Sequence, residues 1–159
     1  GGQERKRRGG TEHVAGIVGF GKASQIAKKR LGGKKVKEMR DRLDRVIQEN
    51  ISGVERLGHP QLTLPNTLNL VFEGADGESM MIALDMEGIA VSTGTACSSG
   101  SPLPSYVLSA MQLPSDKINT SLRISLGWTN TPDQMDKVCN SLASIVQRIR
   151  ERAPAVMGG

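Results

Sequence analysis

The sequence has 159 residues, of which 37% are hydrophobic and only 3% aromatic, and its formal net charge at pH 7 is +5. A chain of this length can bury a core of its own, which must here be aliphatic. The composition argues against a membrane span, because no apolar run approaches roughly 20 residues, and two cysteines are too few for a disulfide framework. We therefore expect no membrane association and a reducing, cytoplasmic setting.

The pattern of apolar residues predicts helices that alternate with short strands. Apolar side chains recur at helical spacing over 34–50, whereas 67–72 and 121–126 alternate as half-buried strands do. In chain order we predict an irregular basic segment over 1–11, a helix over 14–27, a helix over 34–50, a strand over 67–72, a helix over 78–87 capped by Gly88, a strand over 89–92, a loop over 93–104, a helix over 104–112, a strand over 121–126 and a helix that begins at Thr131-Pro132-Asp133-Gln134, a capping box.

This order predicts an α/β fold with a sheet of about three main strands covered by helices. Gly32 and Gly33 interrupt the helical pattern and mark a candidate boundary between two structural units.

Two basic clusters, at 5–8 and 28–37, hold much of the positive charge. Such clusters can bind nucleic acid or an acidic protein, or can simply form a solvated face. No aromatic residues interleave with them, as a stacking platform for single-stranded nucleic acid requires. We expect a solvated face and no nucleic-acid partner.

Cys97 lies in the middle of a loop of small residues, Ser-Thr-Gly-Thr-Ala-Cys-Ser-Ser-Gly-Ser. Free cysteines are usually buried, whereas an exposed and mobile thiol is what attack on one group and delivery to another require. Composition alone leaves open a functional thiol and an ordinary solvent-facing cysteine. Cys139 borders the apolar stripe of the last helix, and we expect it to be buried and inert.

Arg123 interrupts a strand whose other face is Leu122, Ile124 and Leu126, so it projects away from the core. A guanidinium on a rigid strand can bind a carboxylate through two hydrogen bonds, although it can also be an ordinary exposed arginine.

Thr11 follows two glycines and two arginines, so it can either hold a phosphate or cap the next helix. His13 and His59 have no metal-ligand spacing, and we expect no metal site.

Five segments together resemble the cysteine desulfurases, which depend on pyridoxal phosphate and belong with the class V aminotransferases. They are Gly-Gly-Gln-Glu-Arg at 1–5 with Gly-Thr-Glu at 10–12, Leu-Pro-Asn-Thr-Leu-Asn at 64–69, Gly-Glu-Ser at 77–79, Val-Ser-Thr-Gly-Thr-Ala-Cys-Ser-Ser-Gly-Ser at 91–101 and Ser-Leu-Arg-Ile-Ser-Leu-Gly at 121–127. They occur in order along nearly the whole chain. The long serine-rich loop is similar to that of the subclass that supplies sulfur for iron–sulfur cluster assembly.

The resemblance implies a role for each candidate residue. Cys97 would take sulfur from L-cysteine as a persulfide, releasing L-alanine, and Arg123 would hold the substrate carboxylate. Thr11 would reach the cofactor phosphate of the other subunit of a homodimer. The acceptor of the sulfur would be an iron–sulfur scaffold or another protein.

The resemblance also implies a fragment, because the family's enzymes are about two and a half times as long. Residues 1–33 would be the tail of the large domain, and 34–159 the small C-terminal domain of a fold-type I pyridoxal phosphate enzyme. The family's cofactor lysine lies in a Ser-x-His-Lys type motif upstream, and no lysine here has that context. We therefore expect the isolated chain to bind no cofactor and to be inactive.

Two alternatives stay open. The chain can be a stand-alone persulfide carrier or partner-docking module without enzymatic activity, as the exposed thiol loop and basic face suggest. It can also belong to a selenocysteine lyase, against which the long loop argues.

Overall fold

The computed structural model describes residues 2–7, 9–30, 33–98 and 101–152, with the backbone alone at 95–98 and 101–103. The chain divides into two compact units, Gly1–Gly32 and Gly33–Gly159. The first unit contains helices α1 (Gln3–Lys6) and α2 (Val14–Arg30), and neither helix has a buried residue. Assigning the two units to a large and a small domain stays a prediction.

The second unit holds a four-stranded antiparallel sheet, a separate two-stranded hairpin and five helices among its described residues. The sheet has the strand order β1-β2-β6-β3, and the hairpin consists of β4 and β5. The elements are α3 (Lys34–Asn50), β1 (Val54–Arg56), β2 (Thr67–Phe72), α4 (Gly77–Met86), β3 (Ser92–Thr93), β4 (Thr95–Ser98), β5 (Ser101–Pro104), α5 (Tyr106–Ala110), α6 (Ser115–Asn119), β6 (Ser121–Ser125) and α7 (Pro132–Arg152).

The main core lies between one face of this sheet and helices α3, α4 and α7. Strand alternation sends every second side chain of β2 and β6 into it, and the helices contribute their apolar stripes. Its fully buried members include Leu43, Leu70, Phe72, Leu84, Leu122, Leu142 and Ile145.

The opposite face of the sheet is only partly covered. A smaller cluster packs there around Val71, with Leu57, Leu108 of α5 and Ile118 of α6. The rest of this face carries polar side chains from β2, β3 and β6. The fold thus leaves one region of the sheet polar and open beside a small apolar patch.

A buried arginine forms hydrogen bonds to the long connection between β1 and β2. Arg40 of α3 is almost completely buried, and its Nη1 donates to Thr63 Oγ1 at 3.0 Å and to the Leu64 carbonyl at 3.2 Å. Its Nε lies 2.8 Å from Asp41 Oδ1. The Asp41 carboxylate offsets a positive charge that would otherwise be costly to bury.

The predicted helix ends are confirmed where capping residues are present. Gly88 follows α4 with a positive φ of 75°, as a C-terminal cap requires. At the start of α7, Gln134 Oε1 accepts the Thr131 N–H at 3.2 Å, which is one half of the predicted capping box.

Several elements differ from the prediction. Helix α1 lies within the segment 1–11 that was predicted to be irregular, and the strand predicted over 89–92 is instead β3, at Ser92–Thr93. The loop predicted over 93–104 was wrong, because β4 and β5 form a hairpin within it. The helix predicted over 104–112 is shorter, and a second helix, α6, follows it. The sheet has a fourth strand, β1, whose three residues are too few to show an alternation. No helix in the described ranges is long and apolar enough to cross a bilayer.

Candidate active site

Arg123 lies on the open face of the sheet, in a row of three directly opposed residues. It pairs with Asn69 of β2 on one side and with Ser92 of β3 on the other. Opposed residues of antiparallel strands project to the same face, with their Cβ atoms about 5 Å apart. Arg123 is exposed, and its Nη2 donates to Ser92 Oγ at 3.2 Å. The outward orientation predicted from alternation is confirmed.

The backbone of Arg123 is held rigidly, because β6 is an inner strand with a partner on each side. Its neighbours Leu122 and Ile124 are both buried in the main core. The guanidinium is therefore mobile only through its own side-chain torsions, which is suitable for an anchor that binds a small anion.

Cys97 lies in β4, where its backbone pairs with Pro102 of β5. The next pair, Ser98 with Ser101, is the last before the tip of the hairpin, whose two residues lie outside the described structure. The Cys97 side chain is also outside the described part. The structure thus places the backbone of Cys97 near the tip of a hairpin rather than in a loop.

The base of this hairpin is attached to the sheet at Gly94. The Gly94 N–H donates to the Ser121 carbonyl at 3.2 Å, and the Gly94 carbonyl accepts the Ser105 N–H at 2.8 Å. A Cβ at this position would lie 2.1 Å from Ser121 Oγ and 2.4 Å from the Ile118 carbonyl oxygen. Only glycine allows this close approach.

Strand β3 connects the two candidate residues of the second unit. Ser92 contacts Arg123, and the chain then passes through Gly94 directly into the hairpin that carries Cys97. Arg123 and the hairpin base are thus parts of one continuous hydrogen-bonded structure.

Thr11 belongs to the first unit, whereas Arg123 and Cys97 belong to the second. It is exposed, and α2 begins three residues later at Val14. His13 is the residue directly before α2, and the capping of this helix by Thr11 stays a prediction. The phosphate-binding role implied for Thr11 stays a prediction.

Cys139 has the surroundings expected of a structural cysteine. It is 7% exposed and packs in the main core. Burial raises the pKa of its thiol, and the negative charge of Asp136 raises it further. The prediction of a buried thiol is confirmed.

Asn69, Ser92 and Gly94 were not singled out from the sequence, although they lie within the motifs quoted above. The alternation of β2 does place Asn69 on the face opposite the core. The register that sets Asn69 and Ser92 beside Arg123 is a tertiary property, and no local pattern encodes it.

Known proteins resemble this chain in sequence and in fold. Cysteine desulfurase IscS of Methanosarcina thermophila is 43% identical over 156 residues, which are 97% of this chain and 38% of that protein. Cysteine desulfurase IscS of Clostridium botulinum strain Hall is 42% identical over 158 residues, which are 97% of this chain and 40% of that protein. The chain therefore spans about two fifths of the length of these curated relatives.

Among solved structures, a NifS-like protein from Rickettsia africae superposes with a TM-score of 0.79 at 28% identity, over 92% of this chain and 38% of that one. The predicted α/β fold and the resemblance to cysteine desulfurases are confirmed by these similarities. Residues 1–138 match the family model described as aminotransferase class-V. Because this match covers most of the 159 residues, the chain belongs to the class-V aminotransferase family.

Proposed function

We propose that this chain is the C-terminal part of a cysteine desulfurase, which converts L-cysteine to L-alanine and passes the sulfur on for iron–sulfur cluster assembly. The observation that carries the proposal is the link between Arg123 and the Cys97 hairpin through β3. It combines an anchor for the substrate carboxylate with a cysteine in the hairpin that directly follows β3.

Arg123 binds the carboxylate of L-cysteine in this proposal. Its exposed guanidinium has N–H groups besides the one that contacts Ser92, and a carboxylate can accept two of them at once. The rigid strand fixes where the amino acid is held, and this orients its sulfur relative to the hairpin.

Cys97 is the nucleophile that accepts the sulfur. Its thiolate forms an S–S bond with the substrate sulfur as the bond between that sulfur and the β-carbon breaks. The electron pair of the broken bond stays on the carbon, which takes a proton to become the methyl group of alanine. Cys97 then carries a persulfide, which it passes to a sulfur-accepting protein.

Pyridoxal phosphate is the cofactor that the family implies, and it would serve as the electron sink for this carbon. The described strands of the four-stranded sheet contain no lysine to attach the cofactor covalently. The residues present fit the substrate and not the whole cofactor. We propose that the rest of a longer protein supplies the lysine, that Thr11 contacts the phosphate across a homodimer, and that the protein is cytoplasmic.

Alanine release from L-cysteine by the longer protein that contains this chain tests the proposal. We expect the longer protein, loaded with pyridoxal phosphate, to produce alanine. Arg123→Ala should raise the KM for L-cysteine about a hundredfold, since a hydrogen bond to a charged group contributes about 1.5–3 kcal/mol. Arg123→Lys keeps the charge and should recover part of the loss. Equal KM values for wild type and Arg123→Ala would contradict the assignment.

The isolated 159-residue chain is the second arm of this experiment. It should release no alanine. Alanine release by the isolated chain would contradict the proposal that the rest of a longer protein is needed. If the longer protein releases none while the chain alone takes up sulfur from a persulfide donor, the chain is a persulfide carrier rather than part of a desulfurase.

A further inference from the structure

Asn69 has a buried hydrogen-bond acceptor with no partner among the described residues. Its side-chain oxygen, Oδ1, is fully shielded from solvent and accepts no hydrogen bond there. Leaving such a group unpaired costs about 1–3 kcal/mol of folding free energy, so its presence in a strand calls for an explanation.

The neighbours of Asn69 on the sheet face explain why the oxygen is unpaired. On one side the chain after β1 continues alongside, and the Leu57 N–H donates to the Asn69 carbonyl at 2.9 Å. Leu57 and Val71 are both buried in the small apolar cluster and offer no side-chain donor. The apolar neighbours on this side of Asn69 therefore exclude water from its Oδ1 without supplying a hydrogen-bond donor instead.

The other side of Asn69 faces Arg123, its direct partner in the register. Ser121, a diagonal neighbour, donates its hydroxyl hydrogen to the Ile118 carbonyl at 2.8 Å. The Arg123 guanidinium has five N–H donors, and one of them is directed at Ser92. It is the strongest donor within reach of Asn69 Oδ1, since directly opposed Cβ atoms are about 5 Å apart.

We propose that Asn69 is a positioning residue for Arg123: its Oδ1 accepts a hydrogen bond from the guanidinium when a carboxylate binds, and it thereby fixes the edge that the carboxylate meets. This proposal rests on the proposed role of Arg123 and deepens it. Asn69 and Ser92 hold the guanidinium from opposite sides, which leaves a pair of N–H groups for the substrate.

The test uses the longer protein with Asn69→Leu, a change of similar size that suits the apolar neighbours. We expect the KM for L-cysteine and the Kd for L-alanine, which carries the same carboxylate, to rise about tenfold. The value of kcat should change much less. The Tm should stay level or rise, because the unpaired buried oxygen is removed.

Two further variants separate positioning from a structural role. Ser125→Ala, a polar change on the same face and two residues from Arg123, should leave KM and Kd unaltered. In an Arg123→Ala background, Asn69→Leu should have no further effect on the Kd for L-alanine, because the residue acts through the guanidinium.

Unchanged KM and Kd in Asn69→Leu would overturn the proposal, as would an equal rise of the Kd in the Arg123→Ala background. A fall in Tm with unchanged Kd would assign Asn69 a structural role instead. If the wild type releases no alanine, the proposed function fails. The binding of L-alanine still decides whether Asn69 and Arg123 are coupled.

Discussion

The side chain of Arg123 can move, whereas its backbone is fixed by strand pairing. The strand pairs on both sides hold its Cα, while its guanidinium reaches Ser92 across the open face. Anchors of this kind bind small anions well, because little backbone entropy is lost on binding. The position of the residue could be predicted from strand alternation, but its partners could not.

Cys139 should be unreactive in the folded chain. Burial and the charge of Asp136 raise its pKa, so the thiolate that alkylating reagents require is scarce at pH 8. A Cys97→Ser variant has Cys139 as its only cysteine. We expect iodoacetamide to modify Cys139 in this variant only as fast as the chain unfolds.

Mass spectrometry after timed labelling gives this rate, and the same chain in guanidinium chloride is the control that should react fully. The burial of Cys139 would be refuted if labelling in buffer were as fast as labelling of a free cysteine.

Asp41 should make the chain less stable in acid. Burial raises the pKa of its carboxyl, but the hydrogen bond from Lys37 and the charges of Arg40 and Lys37 outweigh this effect and hold the pKa below its ordinary value. The carboxylate therefore contributes stability above the pKa of the unfolded chain, about 4, and loses that contribution as pH falls through the folded pKa.

The free energy of unfolding in urea, measured from pH 7 to pH 2.5, tests this sign. Asp41→Asn should be less stable than the wild type at pH 7, and the difference should vanish in acid. Glu38→Gln on the same helix is the control. A difference that grows as pH falls would contradict the prediction.

Gly94 links the sheet to the hairpin, and its missing side chain is a requirement of packing. A Cβ would overlap Ser121 Oγ and the Ile118 carbonyl, and the carbonyl is backbone that cannot turn away. We expect Gly94→Ala to cost about 1–3 kcal/mol of stability, as overpacking does. In the longer protein the same variant should lower sulfur transfer more than substrate binding, because it displaces the hairpin base.

Urea unfolding provides the measurement, and Gly127→Ala is a matched control, since its nearest contacts would be at 3.8 Å. Equal stability of the two variants would show that the hairpin base is not tightly packed against the sheet.

The helices and strands differ in how clearly the sequence predicts them. Helix α3 and strand β2 have the predicted ends, since each carries a strong apolar period over its whole length. The hairpin was missed because Ser, Thr and Gly with two prolines are typical of loops, so no apolar alternation marks its strands. Asn69 and Gly94 could be found only once the register of the sheet was known.

The two units differ in how many apolar side chains they bury. Both apolar clusters of the described chain lie within the second unit, whereas α2 exposes Val14, Ile17, Val18 and Phe20. Isolated helices of this length are marginal in water, so most of the stability must reside in the second unit.

Removing residues 1–32 should therefore change the Tm of the remaining chain by only a few degrees. Thermal unfolding followed by circular dichroism would show one cooperative transition in both chains. A truncated chain that fails to unfold cooperatively would show that the first unit is needed to complete the core.

The whole molecule spans about two fifths of the length of the cysteine desulfurases that it resembles. In the proposed function it contributes the carboxylate anchor and the Cys97 hairpin, and the rest of a longer protein completes the site. The most direct test of this account is to incubate the longer protein, loaded with pyridoxal phosphate, with L-cysteine and to locate sulfur by mass spectrometry. We predict a gain of one sulfur atom on Cys97, matched by one alanine, and none on Cys139. Alanine release with no sulfur on Cys97, or undiminished sulfur transfer to an acceptor protein in Cys97→Ala, would contradict the account.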